Sequence, residues 1–250
     1  MNQSIHVHLL ASIMPPDTVA GGTAVIIDVL RASTTMVHAL AHGARAVVPC
    51  ASVEEAQQAA KNYDPAKVLK GGERHGTLIA GFDLDNSPLA YTPAKVAGKT
   101  IVFTTTNGTA ALRQSAKAER ILIGSLVNLT AVGRDLASDS RPIHLVCAGT
   151  DGRLTAEDIL CAGGLVEHLI GAHAPATDEA EIDVQAQMAL DFYRARAATP
   201  ERLHKTMTRS LGARNLLKLG LASDIERSSE IDRFSVVPAW DRTSNELRID

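Results

Sequence analysis

Short apolar runs, rich in β-branched residues, alternate with helical patterns along most of the chain, and this alternation constrains the fold more than any other feature. The runs predict strands at residues 5–10, 24–29, 46–49, 67–70, 100–104, 120–123 and 143–147. Helical patterns predict helices at 34–42, 53–63, 108–116, 129–136 and 155–170. Because such alternation produces parallel strands joined by crossover helices, we predict an α/β fold with a mostly parallel sheet and helices on both faces, a three-layer α/β/α arrangement.

The last third of the chain is helix-rich. After Gly171 the sequence predicts helices at 178–196 and 200–210, a turn of helix at 215–219 and a strand at 234–237. No repeat, linker or low-complexity segment interrupts the chain. We therefore predict one domain over residues 1–250, with two lobes around a shared cleft as an open alternative.

Composition excludes several classes of protein. Aromatic residues make up 3% of the chain and the net charge is -3, which argues against nucleic acid as a partner. No apolar run reaches the roughly 18 residues of a membrane span, and the N-terminal residues do not resemble a signal peptide. The three cysteines form no CxxC pair, so we predict a cytoplasmic location without membrane contact.

The segment 28–35, DVLRASTT, follows an apolar strand and opens a helix. Asp28 could hold a metal, Arg31 carries a permanent charge, and Ser33 and Thr34 add hydroxyls beside the unpaired N–H groups of the helix start. This pattern is typical of a phosphate site. The alternative is structural, because Ser and Thr are ordinary N-cap residues and Asp28 could simply cap the turn.

Three further loops carry similar chemistry. Residues 71–88, with four glycines and the side chains of Glu73, Arg74, Asp83 and Asn86, predict a long irregular loop that is either functional or a solvated turn. Residues 104–109, TTTNGT, predict an anion-binding turn or a simple Asn-Gly turn. Residues 147–158 end in two adjacent carboxylates that suit either a helix start or the oxygen ligands of Mg²⁺.

Two other phosphatase chemistries compete for these loops. Cys147 and Arg153 have the spacing of cysteine-dependent phosphatases, in which a thiolate attacks phosphorus. The segment from Asp83 through Ser87 resembles the nucleophilic aspartate motif of haloacid-dehalogenase-type phosphatases, and TTTNG resembles their second motif, although neither a GDxxxD-like partner nor a suitable lysine follows.

Six motifs in order resemble the 2-phosphosulfolactate phosphatase family. They are DVLRASTT, GGERHG, GFDLDNSP, TTTNGT, GSLVN and CAGTDGRLTAEDILCAG, which together cover about residues 25–164. The resemblance implies an α/β fold of its own and a Mg²⁺-dependent phosphatase acting on 2-phospho-3-sulfolactate or a related 2-hydroxy-acid phosphate, on the route towards coenzyme M. Asp85 stands where relatives are expected to have glycine, and Arg153 lies at a variable position, which weakens both competing chemistries.

Residue by residue, the resemblance brings the four loops into one site with three groups of predicted roles. The catalytic residues are Asp28, Arg31 and Arg74. The substrate-binding residues are Ser33, Thr34, Asn86, Thr105, Thr106, Asn107, Gly108 and Thr109. The predicted Mg²⁺ ligands are drawn from Asp28, Glu73, Asp83, Glu157 and Asp158.

The expected partner is a small anionic phosphate ester, and a homodimer remains open. Two alternatives remain for the function. One is a non-catalytic protein that binds a phosphate metabolite, which would need the arginine and hydroxyl groups but not the carboxylates. The other is a phosphatase for a different small phosphate ester.

Overall fold

An eleven-stranded sheet organises the fold in the computed structural model, which describes residues 4–15, 17–173 and 181–249. The strands are β1 (Ser4–His8), β2 (Thr23–Ile27), β3 (Ala46–Pro49), β4 (Val68–Arg74), β5 (Thr77–Leu78), β6 (Thr100–Thr104), β7 (Arg120–Gly124), β8 (Ile143–Cys147), β9 (Glu181–Ile182), β10 (Ala239–Asp241) and β11 (Glu246–Arg248). The α-helices are α1 (Ala32–Ala41), α2 (Val53–Ala60), α3 (Pro93–Val96), α4 (Gly108–Gln114), α5 (Leu129–Ala137), α6 (Ala156–His173), α7 (Val184–Arg196), α8 (Pro200–Thr208), α9 (Leu211–Lys218) and α10 (Ala222–Ser228).

The sheet consists of two parallel segments joined by an antiparallel hairpin. Its strand order is β5-β4-β6-β3-β11-β10-β7-β2-β8-β1-β9. Strands β4, β6 and β3 are parallel, and so are β7, β2, β8, β1 and β9, while β10 and β11 bridge the two groups. This arrangement confirms the predicted α/β class with a mostly parallel sheet.

Helix α1 connects the two segments through one continuous apolar core. Its side chains Met36, Val37 and Leu40 cluster with Ile101 of β6 and with Ile123 of β7. Residues 32–40 are all buried, as expected for a helix enclosed by sheet and loops rather than lying on a surface. The carboxyl ends of β2 and β6 therefore lie close together near the start of α1, although four strands separate them in the sheet.

A second core covers the other face of β7, β2, β8 and β1. Leu145 of β8 and Val25 of β2 belong to this core together with Leu160 and Leu165 of α6 and Leu190 of α7. Helices therefore lie on both faces of the sheet, which agrees with the predicted three layers. No helix within the described ranges is both long and apolar enough to span a bilayer.

The structure corrects the predicted strand at 234–237. In this part of the described chain, residues 234–237 are irregular, and the strands lie instead at β10 and β11. The Phe234 N–H donates to the Val127 carbonyl at 2.8 Å, and its ring packs edge-on against His38 with centroids 4.8 Å apart. These contacts hold the segment against α1 and the loop after β7. Pro238, which follows it, has no N–H for a sheet hydrogen bond.

Three other predicted boundaries also differ. The predicted helix at 178–196 begins at Val184, because the Asp183 side chain accepts from the Ala186 N–H at 2.7 Å and caps α7; residues 178–180 lie outside the described residues. Ser210 caps α9 in the same way, so this helix begins before the predicted turn at 215–219. Residues 71–74 of the predicted irregular loop instead continue β4, in which Gly71 and Gly72 pair with β6 and Glu73 and Arg74 pair with β5.

Candidate active site

A cavity of about 380 Å³ lies at the carboxyl ends of β2, β4, β6 and β8, with α9 as its outer wall. This is where ligands bind in open α/β sheets. The cavity is lined by Asp28, Leu30, Arg31, Glu73, His75, Gly76, Asn86, Thr105, Thr106, Asn107, Thr150, Asp151, Gly212, Asn215, Leu216, Lys218 and Leu219. The structure thus brings residues from all four predicted loops to one cavity.

Asp28 directly follows β2, and its carboxylate has two roles. Its Oδ1 accepts the Ala32 N–H at 3.2 Å, so the carboxylate does cap the start of α1. Its Oδ2 approaches the backbone of Gly108, where an added Cβ would lie only 2.9 Å away, and this closeness requires glycine. Burial, followed by the nearby charge of Asp158, raises the pKa of Asp28 well above its usual value.

Glu73 joins two of the loops through both of its oxygens. Oε1 accepts the Thr106 N–H at 3.0 Å and the Thr106 hydroxyl at 3.1 Å. Oε2 accepts the Gly76 N–H at 2.8 Å. The carboxylate lines the cavity, but its hydrogen bonds indicate that it mainly orders the β4–β5 hairpin and the 104–109 loop around the site.

Glu157 and Asp158 lie at the start of α6 and are both buried. Asp158 accepts the N–H groups of Val29 and Gly149, each at 2.9 Å, and so fixes the loops after β2 and β8. Burial raises the pKa of Asp158 to about 6, and burial followed by the charge of Asp158 raises the pKa of Glu157 to about 8. Glu157 Oε2 has no hydrogen-bond partner among the described residues.

These carboxylates suit a hard cation, although they do not form a closed protein cage. No group of three or more His, Cys, Asp or Glu side chains within residues 4–15, 17–173 and 181–249 is arranged to hold a metal. Mg²⁺, however, is commonly held by one or two carboxylates, with waters and substrate phosphate completing its shell. Asp28 and Glu157 each keep one oxygen outside the hydrogen bonds described above, and a cation would offset both the burial and the carboxylate repulsion that raise the pKa of Asp28.

Arg31 lines the cavity but is held from behind by a buried ion pair. Its Nη1 lies 2.7 Å from Asp224 Oδ2, and the two side chains are 2% and 1% exposed. Its Nη2 donates to the Gly76 carbonyl at 3.0 Å, while the Ser87 hydroxyl donates to Asp224 at 2.6 Å. Sequence reasoning missed Asp224, because a lone acidic residue in the first turn of a C-terminal helix is most often a surface residue.

The predicted substrate-binding residues fall into two groups. Asn86, Thr105, Thr106 and Asn107 line the cavity, and among them Asn86 Oδ1 and Thr105 Oγ1 are buried without a partner in the described chain. The remaining four are absent from the lining: Ser33, Thr34, Gly108 and Thr109. The three hydroxyl groups donate to backbone carbonyls, and Gly108 leaves space for the Asp28 carboxylate. This second group shapes the loops rather than facing a ligand.

Arg74 and Asp83 point away from the cavity, contrary to the prediction. Because side chains alternate along β4, Arg74 lies on the face opposite Glu73, where it donates to the Glu73 carbonyl at 2.7 Å and to Thr104 Oγ1 at 3.0 Å. Asp83 is exposed and accepts the Lys70 N–H at 2.7 Å. We therefore leave both residues out of the proposed chemistry.

The two competing phosphatase chemistries find no support in the geometry. Cys147 is fully buried within β8, and burial, followed by the charge of Asp158, raises the pKa of its thiol well above the usual value. A nucleophilic cysteine needs the opposite environment. Arg153 is exposed, and Asp85 accepts the Ser87 N–H at 2.9 Å within a turn.

Helix α9 supplies a wall that no sequence motif indicated. Gly212, Asn215, Leu216, Lys218 and Leu219 all line the cavity, although the motifs that resemble the family end at about residue 164. The 3.6-residue period of a helix explains why residues spaced by three and four share this face. An amphipathic pattern alone could not show that the face covers a site rather than a core.

Comparison with known proteins agrees with the sequence resemblance. Residues 9–243 match the model of the 2-phosphosulpholactate phosphatase family. Three relatives are each described as a probable 2-phosphosulfolactate phosphatase: one from Symbiobacterium thermophilum, 41% identical over 92% of this chain and 96% of its own; one from Thermotoga maritima, 41% identical over 87% and 88%; and one from Gloeobacter violaceus, 40% identical over 89% and 91%. These matches confirm the predicted enzyme class, phosphoric monoester hydrolase. The chain belongs to the 2-phosphosulpholactate phosphatase family.

Proposed function

We propose that the protein is a Mg²⁺-dependent phosphatase that hydrolyses 2-phospho-3-sulfolactate or a related 2-hydroxy-acid phosphate to the hydroxy acid and phosphate. The observation that carries this proposal is the buried Asp28 carboxylate, which lines the cavity close to Asp158 and Glu157 and beside Asn86 and Thr105, each of which has an unpartnered polar atom. The activity by which the relatives are described, that of a probable 2-phosphosulfolactate phosphatase, supports the substrate. A cytoplasmic location and a place on the route towards coenzyme M are further parts of the proposal, supported by composition and by the resemblance respectively.

Each residue has a distinct task in this proposal. Asp28 and Glu157 would hold Mg²⁺, which supplies charge neutralisation at the phosphoryl oxygens when bound. The Thr105 hydroxyl and the Asn86 Nδ2 amide group would then donate hydrogen bonds to the phosphoryl oxygens, and Arg31, oriented by its ion pair with Asp224, lines the same wall. Phosphoryl transfer depends chiefly on such positioning and charge stabilisation, and these groups supply both.

Asp158 and Glu73 act indirectly by holding the loops. Asp158 keeps the loops after β2 and β8 in register through two backbone N–H groups, and Glu73 keeps Thr106 beside the β4–β5 hairpin. Their loss would displace the groups that contact substrate. Such displacements of about 1 Å commonly reduce turnover strongly.

Phosphate release from racemic 2-phospho-3-sulfolactate, phospholactate and phosphoglycolate, each with Mg²⁺ and with EDTA, tests the proposal. We expect release that requires Mg²⁺ and is fastest with 2-phospho-3-sulfolactate. Mg²⁺-dependent release favouring another ester would identify a phosphatase of different preference. Tight binding of an ester that survives EDTA, without release, would favour a non-catalytic binding protein.

A further inference from the structure

The cationic groups at the cavity are unequally available for a ligand. The charge of Arg31 is compensated by Asp224, since their atoms lie 2.7 Å apart in a buried pair. Arg74, the other arginine predicted for the site, is outside the lining and bonded to Thr104. A substrate with negative charge beyond its phosphate therefore needs another cation.

Of the lysine and arginine side chains in the cavity lining, Lys218 meets this need. It lines the cavity from the last turn of α9 and is exposed. Within residues 4–15, 17–173 and 181–249, no carboxylate lies within ion-pair distance of its ammonium group. Asn215 precedes it by three residues and lines the same cavity, so its amide lies on the same helix face.

Helix α9 is held firmly enough to place these side chains. Ser210 caps its first turn by accepting the Ala213 N–H at 3.1 Å, and Leu216 is buried in the core. At Gly212 the helix approaches Glu157 so closely that an added Cβ would lie 2.3 Å from Glu157 Oε1. The wall that carries Lys218 is therefore packed directly against the carboxylate group of the site.

We propose that Lys218, together with the Asn215 amide, forms a subsite for the second anionic group of the substrate, a sulfonate or carboxylate carried next to the phosphorylated carbon. The inference rests on the proposed phosphatase function and adds the residues that set its specificity. Asp28 and the groups around it bind the phosphoryl end of the substrate, while Lys218 and Asn215 of α9 bind its second anionic group. The enzyme thereby distinguishes an acidic phosphate ester from a neutral one.

The test compares two esters that share a secondary phosphate. 2-Phospho-3-sulfolactate carries carboxylate and sulfonate groups, whereas glycerol 2-phosphate carries neutral hydroxymethyl groups at the same positions. The variant is Lys218→Gln, and the matched control is Lys205→Gln, an exposed lysine in the last turn of α8 that is outside the cavity lining.

We expect Lys218→Gln to lower kcat/KM for 2-phospho-3-sulfolactate by about tenfold or more relative to its effect on glycerol 2-phosphate, mainly through KM. Lys205→Gln should leave the ratio of the two substrates unchanged. Equal effects of Lys218→Gln on both esters would overturn the subsite while leaving the phosphatase function intact.

A binding measurement decides the subsite independently of turnover. 3-Sulfolactate carries both anionic groups and no phosphate, and its affinity can be measured by calorimetry. We expect the wild type and Lys205→Gln to bind it equally, and Lys218→Gln to bind about tenfold more weakly. Equal affinity of all three proteins, or no binding by any of them, would overturn the inference, whereas phosphate release from neither ester would refute the proposed function alone.

Discussion

Replacement of Asp224 by alanine should destabilise the protein far more than loss of an ordinary surface charge. Its carboxylate pairs with Arg31 at 2.7 Å and accepts the Ser87 hydroxyl at 2.6 Å, and both members of the ion pair are almost fully buried. Asp224→Ala would leave the guanidinium buried without its counter-charge. Breaking a buried pair in this way costs about 3–5 kcal/mol.

Urea unfolding provides the measurement, with an exposed pair as control. Glu167 pairs with Arg194 at 2.7 Å, but the two side chains are 42% and 54% exposed, so Glu167→Ala should cost only about 0.2–1 kcal/mol. At an unchanged m-value, the difference between the variants should appear as a clear separation of the urea midpoints. A cost below about 1 kcal/mol for Asp224→Ala would refute the conclusion that this pair holds Arg31 in place.

Two further predictions concern acid stability and the α9 contact. Although burial opposes it, hydrogen bonds led by those of Arg141 lower the pKa of Asp139 to about 2. The stability that this group contributes is therefore complete above its unfolded pKa of about 4 and is lost as the pH falls towards about 2. Asp139→Asn should remove about 1 kcal/mol of stability at neutral pH and flatten the acid dependence of the urea midpoint. An unchanged dependence of the midpoint on pH would contradict this prediction. Gly212→Ala should lower kcat/KM for phosphate release by about tenfold, because the new Cβ would lie 2.3 Å from Glu157 Oε1. Gly171→Ala, which adds a Cβ in open space on α6, should leave kcat/KM unchanged. Equal kcat/KM values for the two variants would contradict the role of this close contact.

Periodicity was sufficient to predict the framework of the sheet. Seven of the eight predicted strands exist, because most of them are apolar runs buried between helices or beside other strands. The β10–β11 hairpin could not be predicted in the same way. Its strands have three residues each and lack a buried apolar run, yet they join the two parallel segments.

The site was predictable to the extent that it lies at strand ends. Asp28 and Thr105 directly follow β2 and β6, and Glu73 lies at the carboxyl end of β4, so their assembly follows from topology. The position of Arg74 could not be predicted in this way. Because β4 extends through Arg74, its side chain lies on the face of the strand opposite Glu73. Lys218 could not be found, because only tertiary packing brings α9 across the cavity.

We propose that phosphoryl transfer depends on Asp28 and not on Cys147. Phosphate release from 2-phospho-3-sulfolactate with Mg²⁺, measured for the wild type, Asp28→Asn and Cys147→Ser, tests it most directly. We expect Asp28→Asn to lose at least about a hundredfold in kcat, because the carboxylate proposed to hold Mg²⁺ beside the phosphoryl group is gone, and Cys147→Ser to retain activity close to wild type. An active Asp28→Asn enzyme, or an inactive Cys147→Ser enzyme that is still folded, would contradict it.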